Sequence, residues 1–116
     1  MLRLIFLRIG FFVVFGFFGV MAFLQPEVYM SFVPEFAVGL TGLSQENLLF
    51  IAGALEIAVA LMMLMWRFTR FGFSIAVIFL IAIVGSSLSL EQWDIAARDF
   101  GLLSASFYGM WRSWMI

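Results

Sequence analysis

The chain has 116 residues, of which 66% are hydrophobic and 11% charged, with a net charge of −1 and a mean hydropathy of +1.17. Soluble domains are about 45–50% apolar, and a soluble fold this small could not bury so large an excess. Cys and His are both absent, which excludes disulfides, thiol redox pairs, Cys/His metal sites and haem held by His or Cys.

The expected class is therefore an all-α, polytopic membrane protein made of one domain, residues 1–116. A spanning helix needs roughly 20 mostly apolar residues. The hydrophobic runs predict four: about 4–24, 45–66, 71–90 and 95–111. Together they predict an antiparallel four-helix transmembrane bundle with one long outer loop. The first run follows a basic start, as a signal peptide would, but it is long and no A-x-A site precedes "QPEVY". It is expected to be retained.

The long loop, 25–44, holds Pro26 and Pro34 together with apolar Phe32, Val33 and Phe36. Such a segment is expected on the membrane surface or over the mouth of the bundle. Ser44 has the position and chemistry of an N-cap for the second helix. That helix carries Glu56 about three turns from its start. "RFTR", 67–70, reads as a very short turn, which makes the second and third helices neighbours. The third run is uncharged from 71 to 90. Ser86, Ser87 and Ser89 near its end either line a polar cavity or bond to their own helix backbone, the commoner outcome. Asp94 reads as the N-cap of the fourth helix.

If all four runs span, Arg3, Arg8, Arg67, Arg70 and Arg112 fall on one side. Glu27, Glu35, Glu46, Glu91 and Asp94 fall on the other, where Arg98 is the basic residue nearby. The positive-inside rule then puts both termini in the cytoplasm. Trp66, Trp111 and Trp114 fall at the inner interface, and Tyr29 and Trp93 at the outer one, as interfacial aromatic residues do. The expected location is a prokaryotic cell membrane, the inner one where there are two. Arg8 is expected to snorkel to the interface. Arg67 and Arg70 serve topology or contact anionic lipid.

A carboxylate at the depth of Glu56 costs a few kcal/mol on insertion scales unless it is paired, neutral or wetted. Its helical face carries Ala52, Gly53, Val59, Ala60 and Met63, small enough for another helix to approach. Glu56 is thus expected to point inward. Arg98, about one turn into the fourth helix, is the expected partner, with Asp99 beside it to share the guanidinium. Ala97, Gly101, Ala105 and Gly109 recur every fourth residue, as at close helix contacts. Glu56, Arg98 and Asp99 then form one polar cluster, which either only sets helix register or binds a polar head group or relays a proton.

Four stretches, "LRIG" (7–10), "GLSQENLLFIAGALEIAVAL" (42–61), "RFTRFG" (67–72) and "ARDFGLL" (97–103), stand in the order found in the DoxX-like family of small four-helix membrane proteins, which the chain resembles. The resemblance implies Glu56, Thr69, Arg70, Arg98 and Asp99 as marked positions, with Thr69 and Arg70 in the turn. Many members carry a basic residue shortly after the glycine that ends the first helix. Here Met21 and Ala22 follow Gly19. The family includes subunits of quinone-linked sulfur oxidoreductases and partners in oxidative-stress complexes; members that handle disulfides use cysteines, which this chain lacks.

Three functions follow as expectations. The first is an accessory or anchor subunit of a membrane redox complex, with no chemistry of its own, no catalytic residue and no metal. The second is a quinone- or lipid-binding oxidoreductase subunit that uses Glu56, Arg98 and Asp99, with quinone the cofactor in view and none bound covalently. The third is a small proton-coupled transporter, which would need to dimerise. The expected partners are the lipid bilayer and a membrane protein or a second copy of the chain, with no nucleic acid.

Overall fold

A computed structural model describes residues 4–30 and 33–115. Arg3, counted among the inner cations, and Phe32 of the loop lie outside the described residues. Among the described residues the regular structure is entirely helical: α1 (Ile5–Leu24), α2 (Pro26–Tyr29), α3 (Glu35–Thr41), α4 (Gln45–Leu64), α5 (Trp66–Ser89) and α6 (Trp93–Met115). Three of these, α1, α4 and α5, are long and apolar enough to cross a membrane. The fourth long helix, α6, does not join them, since Asp94, Arg98, Asp99 and Arg112 interrupt its apolar surface.

The helices begin and end for local reasons. Pro26 opens α2, where its missing N–H is no loss. The Ser44 side chain accepts a hydrogen bond from the Asn47 N–H at 3.2 Å, so the expected cap of α4 is present. Gly42 takes a left-handed conformation, φ 74°, and ends α3. The expected loop over 25–44 is therefore folded into two short helices, and Gln45 Nε2 donates to the Val33 carbonyl at 2.9 Å to tie it to α4.

Three boundaries differ from the sequence reading, the simplest being the end of α6, at Met115 rather than about 111. Met65 alone is extended between α4 and α5, so "RFTR" is the first turn of α5 rather than the connection. Thr69 explains the difference: its hydroxyl donates to the Met65 carbonyl at 3.0 Å, with Met62 O at 3.5 Å. Those carbonyls also receive the Met65 and Phe68 N–H groups, so the hydroxyl adds a second bond at each and ties the end of α4 to the start of α5. Asp94 lies within the first turn of α6, not at its cap. There its charge still favours the helix N-terminus. Glu91, at φ 59°, makes the reversal before α6.

The core is aromatic and crosses between helices. Phe11 and Phe15 of α1, Val59, Ala60 and Met63 of α4, and Phe73, Ala76 and Leu80 of α5 form one buried cluster. Phe11 meets Phe73 edge-on at 5.5 Å, and Phe15 meets Phe79 at 6.1 Å. Elsewhere glycine lets backbones touch. A Cβ on Gly19 would lie 2.9 Å from the Gly53 carbonyl oxygen, and one on Gly53 would lie 2.9 Å from Ala22 Cβ. α1 and α4 are therefore in close backbone contact at this crossing.

α6 turns a different face inward than its small-residue repeat suggests. The buried positions are Ala96, Asp99, Ser106, Gly109 and Ser113, with Leu103 and Met110 packed on the core between them. This is a three–four spacing, not a four–four one. Of the expected series, Gly109 packs tightly against the Phe73 ring and half-buried Ala105 packs on the core, while a Cβ on Gly101 would meet nothing within 4 Å; Ala97 is exposed. The hydroxyls of Ser106 and Ser113 donate back to Leu103 O and Met110 O at 2.8 and 3.0 Å. They satisfy themselves locally and pack as small residues.

Candidate functional site

A cavity of about 700 Å³ lies among all four long helices, within the range of small-molecule sites. α1 contributes Phe15, Phe18 and Ala22, and α4 contributes Ala52 and Glu56. Phe79 and Ser87 come from α5, Arg98, Asp99 and Gly101 from α6, and Tyr29 and Val33 from the connection between α1 and α4. The three charged residues singled out from the sequence, Glu56, Arg98 and Asp99, thus share one wall-bounded space.

Their pairing is specific. Arg98 Nε donates to Asp99 Oδ1 at 3.2 Å. The Arg98 side chain is 56% exposed and the Asp99 side chain 8% exposed, so the guanidinium reaches to the rim while the carboxylate stays inside. The guanidinium carbon also stands 5.7 Å from the centroid of the Phe18 ring, a cation–π contact that ties α6 to α1. Phe18 in turn meets the Tyr29 ring edge-on at 6.1 Å. Glu56 is half-buried, and among the described residues its carboxylate has no hydrogen-bond or ion-pair partner. The expected partner, Arg98, is on the same cavity but is engaged by Asp99.

Position follows from local structure. Glu56 stands one turn beyond Gly53, where α4 presses on α1, and one turn before Val59 and Ala60, which are in the core. It is therefore carried on the most tightly held stretch of α4. Ser87 opens on the cavity, whereas Ser89 donates to Ser86 O at 2.7 Å. The serine group thus divides between the two roles considered for it.

Thr69 and Arg70 do not reach this cavity. They line a separate space of about 120 Å³ with Trp66, Arg67 and Ser113. Arg70 stacks over Trp114, 5.1 Å from the ring centroid, and Trp114 Nε1 donates to Ser74 Oγ at 2.9 Å. The two marked positions fasten α4, α5 and α6 together.

Arg8 departs from its expected snorkelling pose. It is 6% exposed, and its Nε donates to the Met63 carbonyl at 2.9 Å, one residue before α4 ends. The guanidinium lies 5.2 Å from the Trp66 ring centroid. A cation at a helix C-terminus meets the negative end of the dipole, so Arg8 closes α4 from α1. Phe18 and Tyr29 had no signal in the sequence beyond being aromatic near a helix end. Their part in the cavity wall depends on how α1 and α2 are set relative to α6.

These features define a small all-helical protein with apolar helices able to cross a bilayer and a charged cavity among them. A family model described as a domain of unknown function (DUF8561) matches residues 11–104, and the chain belongs to that family. The matched stretch contains every residue of the large cavity. No curated protein and no solved structure matches the chain.

Proposed function

We propose that the protein is a four-pass, antiparallel bundle of a prokaryotic cell membrane, termini inside, that receives the polar end of a lipid-soluble molecule in its central cavity. One observation carries this reading: Glu56, Arg98 and Asp99, costly residues in a bilayer, all line one cavity of about 700 Å³. A cluster serving only as a clasp would be closed and fully paired. Here Arg98 is more than half exposed and Glu56 has no hydrogen-bond or ion-pair partner among the described residues. The rest of the wall, Phe15, Phe18, Phe79 and their aliphatic neighbours, suits a ring or chain. The resemblance to the DoxX-like proteins, whose marked positions include these three residues, supports the same reading, and a quinone has the required form of polar head and apolar tail.

The test is ligand-dependent stabilisation. Ala52 lines the cavity one turn before Glu56, so Ala52→Phe fills it from α4. Decylubiquinone and other membrane-soluble probes should raise the melting temperature of the parent in mild detergent and leave Ala52→Phe unmoved. Equal shifts in both proteins would sink the reading.

An accessory role in a larger assembly is favoured by a second observation. Trp93, Phe100, Phe107 and Trp114 recur every seventh residue on α6 and are all exposed, which suits a helix of another membrane protein or a second copy. Mild purification should then retain a partner. A bare monomer in several detergents argues against it.

A further inference from the structure

We propose that the cavity selects an amphipathic cation, a lipophilic ammonium or a similar positive centre carried on rings or a chain, with Glu56 as its counter-ion. This rests on the reading of the cavity as a ligand site and adds its charge preference.

The argument begins with a charge count. The groups that face the cavity are Glu56 from α4, Arg98 and Asp99 from α6, Tyr29 from α2 and Ser87 from α5; α1 contributes no charged side chain to it. Two carboxylates stand against one guanidinium. That guanidinium is not central: its side chain is 56% exposed, and its Nε is held by Asp99. The inner wall therefore carries one acidic group, Glu56, in excess and without a counter-ion, in surroundings where an unpaired charge is costly. A bound cation removes that cost. An anion adds to it.

The apolar wall points the same way. Phe15, Phe18 and Phe79 give the cavity aromatic surface, and the negative faces of such rings attract cations. Phe18 already holds the Arg98 guanidinium at 5.7 Å, so this wall stabilises positive charge within the protein itself. The volume accepts a ligand with several rings. A neutral quinone would leave Glu56 without a counter-ion.

The experiment uses two probes of one shape and opposite charge, tetraphenylphosphonium and tetraphenylborate, with decylubiquinone as the neutral comparison. Binding to the full chain in mild detergent is measured by calorimetry. The phosphonium should bind at least about tenfold more tightly than the borate, a ratio worth about 1.4 kcal/mol. Glu56→Gln, which keeps the shape, should weaken the phosphonium by about tenfold and leave decylubiquinone unchanged. Arg98→Gln, at an exposed side chain, should act in the opposite sense and strengthen the phosphonium. It therefore keeps the proposal testable if Glu56→Gln does not fold. Equal affinity for the two ions, indifference to Glu56→Gln, or weaker phosphonium binding in Arg98→Gln overturns the charge preference. Binding of decylubiquinone without preference for the cation overturns this inference and leaves the ligand site standing. Failure of all three probes to bind overturns both.

Discussion

Gly53→Ala is a small change with a calculable consequence. The new Cβ would lie 2.9 Å from Ala22 Cβ, 3.1 Å from the Gly19 carbonyl oxygen and 3.1 Å from the Phe23 ring, whereas carbon atoms settle at about 3.5–4.0 Å. One of these neighbours is backbone, so no rotamer change relieves the crowding and α1 must move off α4. A gap of 0.5–1 Å forfeits about a quarter to a half of each dispersion contact it opens, and overpacking of this kind costs about 1–3 kcal/mol. Gly19→Ala meets the same seam from the other side, 2.8 Å from an Ile57 side-chain carbon and 2.9 Å from the Gly53 carbonyl. It should cost a similar amount. The double variant should lose less than the sum, because one separation relieves both clashes. Unfolding by dodecyl sulfate in mixed micelles, followed by tryptophan fluorescence, reads these differences. Gly85→Ala is the comparison, since its Cβ would meet nothing within 4 Å; it should be neutral or slightly stabilising. The reasoning fails if Gly53→Ala and Gly19→Ala are as stable as Gly85→Ala.

Gly109→Ala should destabilise the α5–α6 contact by about 1–3 kcal/mol, because its Cβ would sit 2.5 Å from the Phe73 ring; adding Phe73→Leu should recover part of the loss in the same assay. Arg8→Met should lower stability by about 1.5–3 kcal/mol, the range for a hydrogen bond to a charged group, since the Met63 carbonyl loses its 2.9 Å donor. Amide exchange should rise at the C-terminal turn of α4 before it rises elsewhere. Ser44→Ala should cost about 1 kcal/mol through loss of the α4 cap, and Ser44→Asp should restore it, both read as midpoints of the dodecyl sulfate transition.

Much of the candidate site is legible in the sequence. Glu56, Arg98 and Asp99 stand out because ionisable residues are rare among so many apolar ones, and rarity needs no geometry. Their partnership is legible in part: Asp99 is expected to share the Arg98 guanidinium, and it does, but Glu56 is expected to pair with Arg98 as well. Sequence depth made Glu56–Arg98 a reasonable pair, yet Arg98 found Asp99, its own neighbour, at 3.2 Å. Adjacent residues on a helix diverge by about 100°, so that contact depends on the long Arg98 side chain folding back while its head reaches Phe18. Arg8 shows the same limit. A cation near a helix start has water close by in one dimension, but the end of α4 was closer in three.

The sequence by itself determined the helical character, the apolar runs of α1, α4 and α5, and the cap at Ser44, because length, hydropathy and capping act within a few residues of chain. Tertiary structure decided which way each helix turns. In a soluble helix the apolar stripe marks the buried side, but a bilayer is as apolar as a protein core, so hydrophobicity there carries little rotational information. The repeat Ala97, Gly101, Ala105, Gly109 therefore gives the packed face only in its second half, at Ala105 and Gly109, while the buried positions run through Ala96, Asp99, Ser106, Gly109 and Ser113. Close fit against Phe73 set that rotation, and with it placed Asp99 inside the cavity and Arg98 at its rim.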